Sequence, residues 1–439
     1  MRVTSIAAAA AAGAAAAFAS TSALAQTAAK IDPADTAWMI SATALVLMMT
    51  IPGLALFYAG MVRKKNVLAT MAQSLAATAL CSILWAGLGY TLAFGGDAPL
   101  LGTLDRVLLR GMGMDAVSPF AKTIPEALFM IYHMAFAVIT VALVAGSVAD
   151  RMRFSAFLWF AALWLIGVYV PIAHWVWGDG FLATAGLLDF AGGTVVHLNA
   201  GIAGLVAAIV LGARRGYGSE NFAPYDLSLA VIGTGLLWVG WFGFNGGSAL
   251  GANARAAMAI TSTHLAASAG AFTWMALEWW TRGKPSVLGM ISGAVAGLGT
   301  ITPASGFVMP MEGVLIGVIA GSVCFWACTW LKLKLGYDDS LDVFGVHGIG
   351  GLTGTFLAGV LAVGALSASP ELPGGVSGLL EGNPRLVLTQ MFGILVTLAW
   401  SGIMTFVVLK LIGAIVPLRV RHEDEVMGLD VTQHGEALQ

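Results

Sequence analysis

The chain has 439 residues, 58% of them apolar and only 10% charged, with a formal net charge of -2 and a mean hydropathy of +0.86. A water-soluble protein of two or three domains carries far more charge, so this composition describes a polytopic membrane protein solvated by lipid, and nothing in it suggests nucleic-acid binding. The three cysteines, Cys81, Cys324 and Cys328, all fall inside apolar runs and do not make a disulfide scaffold. Cys324 and Cys328 stand four apart on one helix, which hints at a metal, but small buried packing residues are the simpler reading.

In chain order, Arg2 precedes an Ala-dominated run from Ala7 to Ala19 and then Ala23-Leu24-Ala25, the small-residue pattern of a signal-peptidase site. The run is too short and too weakly apolar to span, so residues 1–25 are expected to be a signal peptide cleaved before Gln26; a retained, poorly anchored helix is the rival. A spanning helix takes ~20 mostly apolar residues. Eleven stretches fit: 36–60, 67–94, 124–149, 154–177, 192–211, 226–248, 256–280, 286–304, 309–335, 343–365 and 384–416. The last is long enough to tilt or to extend past the bilayer.

An exported N-terminus makes the connections after odd-numbered spans cytoplasmic, where Lys and Arg should collect. Arg63, Lys64 and Lys65 follow the first span, Arg151 and Arg153 the third, Arg214 and Arg215 the fifth, Arg282 and Lys284 the seventh, Lys332 and Lys334 the ninth, and Arg419 and Arg421 the eleventh. The opposite loops hold only Arg106, Arg110, Lys122, Arg255 and Arg385. The expected architecture is therefore an all-α polytopic membrane protein of the bacterial inner membrane, with a periplasmic N-terminus. Residues 26–416 form its membrane domain, and residues 417–439 a cytoplasmic tail that composition alone reads as flexible.

The fifth span opens with Asp189-Phe-Ala-Gly-Gly-Thr-Val-Val-His197, a carboxylate at the mouth of an apolar run and an imidazole inside it. The tenth opens with Asp342-Val-Phe-Gly-Val-His347, and aligning the histidines also aligns Val196 with Val346, Gly201 with Gly351 and Gly204 with Gly354. Both read V-H-x-x-x-G-x-x-G. On a helix each histidine heads a stripe of glycines along which another helix can approach. Because the two spans run in opposite directions, the motif marks an inverted repeat of spans 1–5 against spans 6–10, with a shared site near the midplane and an eleventh helix outside the bundle.

An ionisable group in a span costs about 2.5–3.5 kcal/mol on insertion scales and usually faces a cavity or a partner. His197 and His347 fit that description as a functional pair, with satisfied core histidines as the alternative. Two imidazoles without Cys or a nearby carboxylate make a poor metal site. Asp189 precedes His197 by eight positions, ~12 Å along a regular helix, so it reads as a cap for Gly192, Gly193 and Thr194 rather than as a cation ligand. Glu126, Glu278 and Glu312 lie near span ends, where solvent contact or capping is the simpler account. Tyr132 and Phe136 on span three, Trp177 ending span four, and Trp241-Phe-Gly-Phe244-Asn-Gly-Gly-Ser248 on span six place aromatic faces and a hydroxyl near the outer ends, a setting suited to a small cation losing water.

With these motifs assembled, the chain after residue 25 resembles a bacterial ammonium transporter of the Amt/Mep/Rh family. The resemblance rests on D-F-A-G-G-T-V-V-H at 189–197, W-F-G-F-N-x-G-S at 241–248, D-V-F-G-V-H-G at 342–348 and G-L-D-x-x-x-H-G-E at 428–436. It implies transport rather than catalysis, with no cofactor or metal. It also implies His197 and His347 as paired pore histidines, Phe136 and Phe244 as a stacked gate, and Trp177 and Ser248 as parts of an outer recruitment site for NH4+. Tyr132 replaces the Phe of many relatives there, and His133 stands where the family pattern has Gln, which leaves its contribution open. The Trp-Ser mouth favours the Amt branch. The family further implies a homotrimer, an ordered tail packed under neighbouring subunits and closure by a PII-type signalling protein. An electroneutral gas channel, and a sensor acting through its tail, remain the alternative readings.

Overall fold

Backbone groups inside lipid must close their hydrogen bonds within the chain, which leaves the helix as the form for long apolar runs. The computed structural model describes residues 30–438 apart from Asp97, Pro370 and Glu371, so the expected signal peptide lies outside the described residues. It contains eleven helical rods at the eleven apolar stretches: α1 (Pro33–Met61), α2 (Lys64–Phe94), α3 (Glu126–Val148), α4 (Phe154–Thr184), α5 (Gly193–Leu211), α6 (Leu227–Gly246), α7 (Ala254–Arg282), α8 (Val287–Ile301), α9 (Pro310–Leu335), α10 (Phe344–Leu361) and α11 (Pro384–Ile415). Nine of them are long and apolar enough to cross a membrane. The exceptions have visible causes. Thr261-Ser-Thr-His264 interrupts the apolar character of α7, and α8 has only 15 residues. The only strands among the described residues, Val117–Ser118 and Ala121–Pro125, pair antiparallel before α3.

Several rods are not regular α-helices. Six-residue or five-residue π-turns interrupt α1 at Met49–Leu54, around Pro52, and open or close the segments that carry the motif residues: Gly193–Leu198, Phe242–Gly246 and Phe344–Gly348. The expectation of regular helix through His197 and His347 is thus corrected, since both lie on π-turns, a feature that recurs at functional sites.

Rods α5 and α10 cross reciprocally, each opening turn lying on the α-helical body of the other. Glycine makes this possible. A Cβ at Gly201 would sit 2.2 Å from Gly348 Cα, and one at Gly351 would sit 2.6 Å from Leu198 N, so each side of the crossing is backbone against backbone. One position further along the same stripes, Gly204 faces Ser147 of α3 while Gly354 faces Thr300 of α8. The third rod of each half thus plays the same part. Rod α11 runs along both α5 and α10 on the outside, joined by Ser401 Oγ to Asn199 O (2.9 Å) and by Gln390 to Leu188 and Thr355. At ~1.5 Å per residue its 32 residues span ~48 Å, more than a ~30 Å hydrocarbon core.

The loops following α1, α3, α5 and α9 meet at one end of the bundle. Arg63 and Arg214 both pair with Asp150, and Arg214 also grips Asp338 at 2.8 Å. The tail closes over this end. A short helix, His422–Met427, and a turn, Asp430–His434, lie against their own chain: Lys65 Nζ donates to the carbonyls of Glu425 and Val426, Asp430 Oδ1 accepts from Ala69 N at 2.8 Å, and Glu425 is bound by Arg419. The flexible end that composition suggested is therefore an ordered one.

Candidate functional site

Two cavities enter the bundle from opposite ends and stop short of each other. One, termed the outer cavity after the orientation expected from the loop charges, has about 260 Å³ and lies among Phe129, Tyr132, His133, Phe136, Trp177 and Ser248. The inner one, about 230 Å³, reaches up to His347 from a mouth that includes Glu278, Arg282 and Asp342. Between them is a slot of only about 10 Å³ lined by Ile139, Leu143, Val196, Leu237, Phe244 and the two histidines. That is room for at most about one water.

At the floor of the outer cavity, Phe136 from α3 and Phe244 from α6 stack at 4.0 Å between ring centroids and 14° between planes, closing the way inward. Trp177 stands edge-on to Phe136 at 5.8 Å, with its indole N–H held by the Asp189 carbonyl at 2.9 Å. Ser248 Oγ donates to Phe244 O at 2.8 Å, has the Tyr132 hydroxyl 3.3 Å away, and lines the cavity. The Tyr132 hydroxyl reaches the carbonyls of Gly243 and Phe244 at 3.0 and 2.8 Å, bracing the π-turn on which Phe244 sits.

Below the phenylalanines, His197 stacks on Trp241 at 5.4 Å, and the Trp241 indole is fixed by Thr302 Oγ1. His197 Nδ1 lies 3.2 Å from His347 Nδ1, with the rings 14° from parallel. Only one proton fits between two nitrogens. In a neutral pair one ring therefore donates through Nδ1 and exposes Nε2 as an acceptor, while the other accepts through Nδ1 and carries its proton on Nε2. The pair thus presents one donor and one acceptor along the slot. His197 Nε2 is buried without any protein partner, an atom left free in a position where an unmet hydrogen bond is costly.

Each histidine rod begins on a buried carboxylate. Asp189 accepts from the backbone N–H groups of Gly192, Gly193, Thr194 and Val195 at 2.8, 2.5, 2.7 and 3.2 Å, and from Thr194 Oγ1. In α10 the counterpart is not Asp342, which the motif comparison placed at the mouth. Asp342 has φ 58°, is partly exposed and pairs with Lys332 at 2.8 Å. Asp339 is the buried carboxylate, accepting from Phe344 N at 2.7 Å, and it stands eight residues before His347 as Asp189 stands eight before His197. That spacing was the missed signal. Burial pushes the Asp339 carboxyl up to about 6, with Lys332 beside it opposing the rise.

Glu126 is not a water-facing end residue but is buried between Tyr90 Oη (3.0 Å) and Arg106 (3.4 Å), whereas Glu278 takes the capping role, buried and accepting from Ser286 N and Oγ at the start of α8. His174 is pinned between the carbonyls of Ala93 and Ala98, and His264 lies exposed on α7 away from the slot. Among the described residues no group of three or more His, Cys, Asp or Glu could hold a metal ion.

A sequence profile of the Ammonium Transporter Family matches residues 37–438 of the chain. The chain is 47% identical over 402 residues to an ammonium transporter of Bacillus subtilis, covering 92% of this chain and 97% of that protein. It is 48% identical over 409 residues to an ammonium transporter of Aquifex aeolicus, covering 93% and 94%. Among solved structures it is similar to Saccharomyces cerevisiae Mep2, with a TM-score of 0.83 and 37% identity over 90% of this chain and 89% of that one.

Proposed function

The chain belongs to the Ammonium Transporter Family, and from that membership we propose a mechanism for its transport of ammonium. NH4+ enters the outer cavity, where Ser248 Oγ and the faces of Trp177 and Phe136 replace part of its water. It gives up a proton, which crosses separately by way of the imidazoles, and NH3 passes Phe136 and Phe244 into the slot of His197 and His347. The observation that carries this reading is the contact between the two histidines at 3.2 Å inside a slot too small for a hydrated ion.

Ammonium resembles potassium in size and charge, so a ring of carbonyls would separate them poorly. A dry slot changes the comparison. Moving an ammonium-sized ion into a medium of ε ≈ 4 costs on the order of 20 kcal/mol in the idealised limit, whereas removing its proton costs ~1.36 kcal/mol per unit of pKa mismatch. Potassium has no proton to lose. The pair's one acceptor and one donor would hand ammonia along the slot, and the proton crosses separately by way of the imidazoles. The same reading places the protein in the bacterial inner membrane as a homotrimer. Its basic end and tail then face the cytoplasm, where a PII-type protein docks.

The test is ammonium-evoked and potassium-evoked current in proteoliposomes for the wild type, His197→Ala, His347→Ala and the double variant in one lipid preparation. Removing an imidazole should lower the ammonium rate and admit potassium. Near-wild-type ammonium current with intact discrimination in all three variants would reduce the histidines to packing residues. Transport of ammonia with no current in the wild type would favour an electroneutral channel.

A further inference from the structure

The mechanism above leaves His133 without a task, yet this residue is one helical turn from Phe136, lines the outer cavity and is only 9% exposed. Its Nδ1 lies 3.0 Å from the carbonyl oxygen of Phe129, one turn back on α3. A carbonyl has no proton to give, so Nδ1 carries the proton and donates it. In a neutral imidazole that leaves the distal nitrogen, Nε2, as a bare acceptor.

Nothing in the protein fills that acceptor among the described residues, and Nε2 is not sealed within packing as His197 Nε2 is. The ring is held in place by aromatic neighbours, with centroids 4.2 Å from Phe129, 4.7 Å from Phe94 and 5.8 Å from Trp177. An imidazole whose tautomer is set by its own helix, whose ring is clamped by apolar faces and whose free lone pair is left to a cavity has the features of a built hydrogen-bond acceptor.

We infer that His133 Nε2 accepts a hydrogen bond from an N–H of the ammonium ion in the outer cavity, beside Ser248 Oγ, and so favours cations that carry N–H protons over potassium. A lone pair aimed at N⁺–H makes a charge-assisted bond, stronger and more directional than one between neutral groups. To potassium the same nitrogen is a single ligand of the wrong softness with no proton to meet. The inference rests on ammonium being the substrate, and it adds a recruitment contact that the histidine pair does not supply.

The experiment compares the wild type, His133→Leu and His133→Gln in proteoliposomes over a series of ammonium chloride concentrations, with and without added potassium chloride. His133→Leu keeps apolar packing and loses the acceptor. It should raise the concentration for half-maximal current about tenfold or more, the loss expected for one hydrogen bond to a charged group, and potassium should compete more effectively. His133→Gln restores an acceptor oxygen and should stay near the wild type. Unchanged half-saturation in His133→Leu overturns the inference, as does a defect in His133→Gln equal to that of His133→Leu, which would mean shape alone matters. Should His133→Leu fail to insert, 15N-histidine spectra of the wild type titrated with ammonium chloride read the same atom. The Nε2 resonance missing from His133→Gln must then shift, and its constancy refutes the contact. Absence of both ammonium current and ammonia uptake in every protein, wild type included, refutes the transport reading instead, and the titration still decides the contact.

Discussion

Replacing Gly201 by Ala should disable the histidine pair without touching either histidine. The added Cβ would lie 2.2 Å from both Gly348 Cα and Gly348 N, whereas ordinary carbon contacts lie at ~3.5–4.0 Å. Backbone atoms on both sides leave no flexible side chain to yield, so α5 and α10 must separate by about 1 Å or more at the crossing. The His197 to His347 contact of 3.2 Å would open to more than ~4 Å, outside hydrogen-bonding range. Overpacking of this kind costs about 1–3 kcal/mol or more, so the thermal midpoint in detergent should also fall. Gly235→Ala is the control, since a Cβ there meets nothing within 4 Å, and its helical position predicts a neutral or slightly stabilising change. Ammonium- and potassium-evoked currents for both variants decide the matter. If Gly201→Ala keeps wild-type current and selectivity, the close approach of the two rods is not what sets the pair, and the reasoning fails.

Asp339 should impose a pH dependence on stability. Its carboxyl is raised to about 6 from the usual 3.8 by burial. The protonated form stabilises the fold fully below pH ~4, and that stabilisation is lost as pH rises through about 6, a change of roughly 3 kcal/mol. Asp339→Asn should therefore flatten the thermal-midpoint profile between pH 4 and 7, and an unaltered profile would contradict the assignment. Deleting residues 417–439 removes the contacts to Lys65 and Ala69 while leaving the membrane rods intact, so transport or its response to a PII-type protein should weaken with little change in helical content by circular dichroism. Unchanged transport and regulation would count against a regulatory tail. Mass spectrometry of the mature protein should find an N-terminus at Gln26, and an intact Met1 would refute signal-peptide cleavage.

The histidines were legible because an ionisable side chain is costly in an apolar run and because one motif recurs 150 residues later. The glycine stripes were legible for a related reason: a run of positions without side chains serves a close approach more readily than anything else. The π-turns under His197, Phe244 and His347 were not, since one extra residue in a turn shifts hydrophobic periodicity too little to register. Asp339 was hidden by Asp342, which sits nearer the motif and invites alignment. The ordered tail was hidden because its partners, Lys65 and Asn66, lie about 360 residues away. A polar segment shows its own composition and not the distant groups that satisfy it.

The two buried carboxylates follow from where the histidine rods begin. Rods α5 and α10 open at buried positions, Gly193 and Phe344, so their first backbone N–H groups have little access to water. The first four such groups of any helix lack an intrahelical partner, and the helix dipole makes that end positive. An aspartate eight residues before each histidine caps these starts, accepting from four backbone N–H groups at Asp189 and from Phe344 N at Asp339, which allows a rod to start inside the protein and carry its imidazole to the crossing. The spacing D-x7-H in both halves is therefore a consequence of building the slot from two helix beginnings, and the glycines at Gly201 and Gly351 are what let those beginnings meet.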